Sequence, residues 1–111
     1  DTRNPDGAYG GPAIAALSSR TFVAAGQCGI PSGAKAVSVN VTVTGATASG
    51  DIIVHQAGII PNPVPTIDYS AGQTRANNAF VALGASGDFT VKSDQPTGTV
   101  HVIVDVNGYF Q

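Results

Sequence analysis

The chain has 111 residues, room for one domain of ordinary size and too little for two. Charged residues make up 11%, against about a quarter in typical soluble domains, and Glu, Met and Trp are absent. Leu occurs only at Leu17 and Leu83 and there are two Lys, so the best helix formers other than Ala are missing and a helical protein is excluded. The net charge of −2 rules out a basic nucleic-acid footprint and a polybasic membrane patch. No apolar run approaches the roughly 20 residues that a membrane-spanning helix needs.

Turn residues punctuate the chain every eight to twelve positions, the spacing of a sandwich or barrel. Asp1 to Pro12 is rich in Gly, Pro, Asn and Asp and reads as a long irregular loop. Ala13 to Leu17 is apolar and short, a strand or one helical turn. Arg20 to Ala25 reads as a strand, closed by Gly26 and the Gly29–Gly33 turn. Ala36 to Thr44 is the clearest strand: Val37, Val39, Val41 and Val43 share one face, and Ser38, Asn40, Thr42 and Thr44 the other. After the Gly45–Gly50 turn come Asp51 to Gln56 and then Gly58 to Pro65, whose three prolines forbid a central strand. Thr66 to Tyr69, Asn77 to Leu83 and Asp88 to Ser93 are further strands. Thr99 to Asn107 repeats the valine alternation at Val100, Val102, Val104 and Val106.

These residues predict an all-β chain, a single domain over residues 1–111 with seven or eight strands and no significant helix. Short turns imply antiparallel pairing, and two sheets face to face bury both valine stripes, so the expected fold is an antiparallel β-sandwich of jelly-roll type. Phe22, Ile52, Val54, Phe80 and Val91 are expected to pack against the valines.

Four motifs carry a resemblance. They are Asp1-Thr2-Arg3 with Gly10-Gly11-Pro12; Cys28-Gly29-Ile30-Pro31 running into Asn40-Val41-Thr42-Val43; Gly72-Gln73-Thr74 with Ala76-Asn77; and Asp105-Val106-Asn107-Gly108-Tyr109-Phe110. In this order they resemble the β-sandwich modules found, often in tandem, in large secreted and surface proteins of environmental bacteria. The resemblance implies a secreted, cell-surface location, with any signal peptide removed. It further implies that a strand containing Pro-Cys-Arg precedes the Asp-Thr-Arg, and that its cysteine would pair with Cys28. The modules carry Ser and Asn where this chain has Thr66 and Asp68.

The residues offer little chemistry. A single cysteine makes no internal disulfide, so Cys28 is either a buried small hydrophobe or an unpaired thiol whose partner is lost or lies on another chain. His55 and His101 sit on separate strands, which gives neither a zinc set nor a base for a nucleophile. Asp1, Asn4 and Asp6 with Gly7 offer oxygen ligands that calcium would accept, although such loops are ordinarily plain turns. Most of the seven aspartates fall at turns. Asp105 lies within a strand, and Arg3, in the first motif, is its expected ion-pair partner, joining the two ends of the chain. Tyr9, Tyr69 and Tyr109 lie near loops or strand ends, where a ring could stack on a sugar or act as a core lid. Asn40-Val41-Thr42 has the form of a glycosylation sequon, and only Lys35 and Lys92 could supply an isopeptide crosslink.

No catalytic constellation emerges, so an enzyme is the weakest of three classes. The expected role is a non-enzymatic extracellular structural or adhesive subunit that assembles with copies of itself, as a filament or other surface structure. A sandwich without its first strand presents an unpaired edge that can accept a strand from another chain. The loops Asp1–Pro12 and Gly58–Pro65 are the segments expected to make such contacts. The alternative is a carbohydrate-binding module, a monomer that displays an aromatic ring to a polysaccharide.

Overall fold

The computed structural model describes residues 1–111. It is all-β: β1 (Ile14–Ala15), β2 (Ser19–Val23), β3 (Ala36–Thr44), β4 (Gly50–Gln56), β5 (Ile67–Tyr69), β6 (Arg75–Ala82), β7 (Asp88–Ser93) and β8 (Thr99–Phe110). Two four-stranded antiparallel sheets, β1-β8-β3-β6 and β2-β7-β4-β5, form the sandwich in jelly-roll order. The strands fall where valine alternation and turn residues place them, and β3 and β7 match to the residue.

The core is the valine stripe itself. Val37, Val39, Val41 and Val43 are fully buried, and across the sandwich they meet Ile52, Val54, Phe89 and Val91. In the β3–β8 ladder Val41 stands opposite Val104 and Val43 opposite Val102, so both stripes face inward together. The register shifts between Ser38 and Val39, because Val39 pairs with Val106 but Ser38 with Gly108. Asn107 is therefore an extra residue, a bulge that carries β8 on to Phe110.

Two expected core residues are not in the core: Val106, at the far end of the second valine stripe, is half-exposed, and Phe80 is misplaced. Phe80 is 78% exposed. It pairs with Ser38, on the outward parity of β3, while its neighbour Val81 pairs with Val37 and is buried. Alternation is binary, so choosing Val81 as the inward residue puts the larger Phe80 outside whatever its hydrophobicity. There it meets Phe110 edge-on, with ring centroids 5.8 Å apart.

At one end of the sandwich a polar side chain takes a core position. Gln95 is fully buried, its Oε1 accepts from the Tyr69 hydroxyl at 2.7 Å, and its Nε2 donates to the carbonyls of Thr97 and Thr99 at 2.8 and 3.1 Å. Every polar atom of that side chain is used, which is the condition under which burial of an amide is tolerated.

Candidate functional site

The N-terminal loop, irregular as expected, is firmly held. Thr2 is buried; its N–H donates to the Val102 carbonyl at 3.1 Å and its Oγ1 accepts from the Val102 N–H at 2.9 Å. Arg20 donates to the carbonyls of Gly10, at 2.9 Å, and Pro12. These bonds pin the loop beside the start of β8. They also show that the backbone of Val102 points away from β3, toward the rim of the sheet.

On that rim β1 reaches only Thr99 and Val100, and no strand pairs with β8 beyond them. Backbone direction alternates along a strand, so the N–H and C=O of Val104 point to the same open edge as those of Val102. Val104, Val106 and Tyr109 lie opposite Val41, Val39 and Val37, hence on the inward face, yet Val106 and Tyr109 remain 38% and 48% exposed. The sheet that should cover them ends at β2. The result is an open groove of about 550 Å³ whose walls include Tyr9, Phe22, Ile30, Val104, Val106 and Tyr109.

The residues singled out from sequence distribute unevenly around this groove. Cys28 lines it, and is a free, exposed thiol rather than a buried small hydrophobe. It occupies a tight turn at φ 49°, between Gly26 and Gly29 at positive φ, which holds its side chain out of the core. Tyr9 and Tyr109 both line the groove; the Tyr9 hydroxyl donates to the Val23 carbonyl at 3.0 Å, and Tyr109 makes no side-chain hydrogen bond. Tyr69 does not belong with them. It is 5% exposed, its hydroxyl is spent on Gln95, and burial pushes that hydroxyl above the ordinary phenol value. Tyr69 is a core lid and cannot stack on a sugar.

The expected Arg3–Asp105 pair does not form. Arg3 forks onto Asp1, with Nε to Oδ1 at 3.0 Å and Nη2 to Oδ2 at 2.9 Å. A carboxylate two residues away costs far less chain entropy to reach than one on the last strand. Asp105 faces outward opposite Asn40, is exposed, and needs no counter-ion. The same fork commits both oxygens of Asp1, the first of the expected calcium donors. No group of three acidic, imidazole or thiol side chains is arranged to hold a metal ion. His55 and His101 are in different sheets, with Nδ1 of His55 on the Gln56 carbonyl at 2.7 Å and Nδ1 of His101 on Thr2 Oγ1 at 3.1 Å.

One carboxylate is perturbed. Asp51 is pushed above its ordinary value of 3.8, first by burial and next by the Asp94 carboxylate, with Asp68 opposite it in the β4–β5 ladder adding to the effect and Lys92 opposing it. Its Oδ1 is buried without a hydrogen-bond partner. The folded chain therefore holds this proton more tightly than the unfolded chain. The stabilisation is complete below 3.8 and is lost as pH rises through the raised value. Asp51→Asn is expected to melt above the parent at neutral pH, with the difference closing toward about pH 3. Melting temperatures of both proteins across that range measure it, and parallel curves would show that Asp51 carries no such penalty.

Sequence reasoning missed the groove itself and the exposed Phe80–Phe110 pair. The bulge that redirects the end of β8 leaves no mark in its alternation before Asn107, and the reach of β1 depends on pairing. No protein-family model matches the chain, and no curated protein matches it.

Proposed function

We propose that the chain is a non-enzymatic structural module of an extracellular surface assembly, joined to copies of itself by strand addition at the rim of β8. The observation that carries the proposal is the coincidence of an unpaired strand edge with an apolar groove directly beneath it. An edge alone is a hazard that proteins blunt with charge, proline or a covering loop. Along Val104–Asn107 only Asp105 supplies charge, and no proline interrupts the run. Strand addition uses such a surface fully: main-chain bonds supply affinity and alternate side chains enter the groove. The secreted and surface setting rests on the resemblance to bacterial surface modules.

The test is the native mass of the protein over a concentration series. Particles larger than the 11.1 kDa chain are expected, growing with concentration. Val106→Lys, which sets a charge on the groove wall, should return the protein to the monomer without unfolding it, because Val106 already borders water. A wild-type monomer at about 100 μM would overturn the proposal, since strand-addition contacts with dissociation constants above that range could not hold an assembly together. The half-exposed rings of Tyr9 and Tyr109 on the groove favour one second reading, a sugar-binding cleft. A monomer that binds polysaccharide, and loses binding with Tyr109→Ala, would support that reading instead.

A further inference from the structure

The proposed self-assembly requires a segment able to enter the groove, and one segment of the chain is patterned for it. From Gly58 to Pro65, between β4 and β5, no backbone or side-chain group makes a hydrogen bond within the chain. Ile60 is 95% exposed, Val64 67% and Ile59 50%, a concentration of apolar surface unusual on a stable monomer. The other loop expected to make contacts, Asp1–Pro12, is already bonded to β2 and β8 and is not free to leave.

The prolines define how this segment can bind. Pro61, Pro63 and Pro65 alternate with Asn62 and Val64, and Ile60 precedes them. In an extended strand, alternate residues direct their N–H groups to opposite sides. One side of this segment thus carries the donors of Ile60, Asn62 and Val64, and the other carries none. Such a strand can pair on one side only, as an edge. Ile60 and Val64 share one face, spaced to enter a groove together, and the prolines hold the backbone extended before binding. Residues 57–66 carry no ionisable group, which suits an apolar groove whose Asp1 is already neutralised by Arg3 and beside which Asp105 faces outward.

The two surfaces lie on opposite flanks of the sandwich. The groove borders β8 and β2, toward the β1 and β2 ends of the two strand orders, and the proline-rich segment leads into β5, at the other end of its sheet beside β6. The proline-rich segment cannot reach the groove of its own copy in this arrangement. Complementary patches at opposite ends make a head-to-tail contact, which repeats without closing unless a ring forms.

We infer that Ile60–Pro65 of one copy adds as an edge strand to Val104 and its neighbours on β8 of the next, with Ile60 and Val64 in the groove. The inference rests on the proposed self-assembly and names the segment that performs it. Two variants test it: Ile60→Asp/Val64→Asp, altered only at exposed positions, and Val106→Lys. Each alone should be monomeric, with association weakened at least ~10-fold. Mixed, they should form a dimer and nothing larger, because the first retains a groove and the second retains a segment. A fluorescent peptide of residues 58–66 should bind the first variant and not the second, a readout independent of how either variant assembles. If the segment variant still polymerises while Val106→Lys does not, another segment fills the groove; the inference falls and self-assembly stands. If the wild-type chain is monomeric, both fall. Failure of the mixed variants to dimerise, with both folded, also overturns the inference.

Discussion

Gln95→Ala is expected to destabilise the domain by about 3–5 kcal/mol, lowering its melting temperature by on the order of 10–20 °C. The substitution removes the partner of the Tyr69 hydroxyl and two donors to backbone carbonyls, and it empties space at the end of the core. A buried hydroxyl left unpaired costs about 1–3 kcal/mol by itself, and the cavity adds to that. Tyr69→Phe should cost less, about 1–2 kcal/mol, because packing is kept and only the Gln95 Oε1 loses its partner. The two changes touch one network, so the double variant should be destabilised by less than their sum. Additivity in thermal or urea melts would show that the hydroxyl and the amide do not act together. Gly50 belongs to the same corner: a Cβ there would lie 2.7 Å from Gln95 Cβ and 2.8 Å from its Cα, so β4 must begin on glycine.

The second large effect is expected at Gly10. A Cβ at this position would sit 2.1 Å from the Pro5 carbonyl oxygen, a backbone atom that no rotamer change can move. Gly10→Ala must displace the turn between Pro5 and Gly11, at a cost of about 2–4 kcal/mol, at or beyond the upper end of ordinary overpacking. The Arg20 bond to the Gly10 carbonyl goes with it, and with that bond the anchorage of the loop beside β8. Limited proteolysis should then cut within Asp1–Pro12 well below the global melting temperature, because the loop opens before the sheets do. Gly7→Ala is the control. Its Cβ would meet nothing within 4 Å, and it should behave as the parent. Equal protease resistance in the two variants would mean that the loop is not held by the contact at Gly10.

The Gly10 turn and the open edge of β8 lie on the same flank. A loosened N-terminal loop frees Val102 as well as Val104, lengthening the open edge of β8. Gly10→Ala should therefore alter assembly as well as stability, whereas the Gln95 variant, at the far corner, should alter stability alone.

How much of this was legible in the residues follows from how far apart the determinants lie along the chain. Val37, Val39, Val41 and Val43 announce β3 and its buried face because alternation is a local pattern, fixed by strand geometry within a few residues. The turns, the absence of helix and the two-sheet arrangement follow from patterns of the same range. Phe80 was misassigned where that local rule has two solutions: Asn77–Leu83 offers apolar residues on both parities, and pairing with β3 selected Val81. Arg3 had two carboxylates to choose between, and only the fold places Asp105 out of need of it. Gln95 and Tyr69 show no polar-core signature, because each is a common turn or strand-end residue until they meet 26 positions apart. The groove has no sequence signal at all. It exists because β1 stops after two residues, a bulge at Asn107 extends β8 past the cover of the second sheet, and the loop from Asp1 is tied down short of the gap. Composition and periodicity alone determined that this chain is a two-sheet valine sandwich. Which inward-facing residues remain uncovered depended on how far each strand reaches beside partners distant in the sequence, and only the tertiary structure decided that.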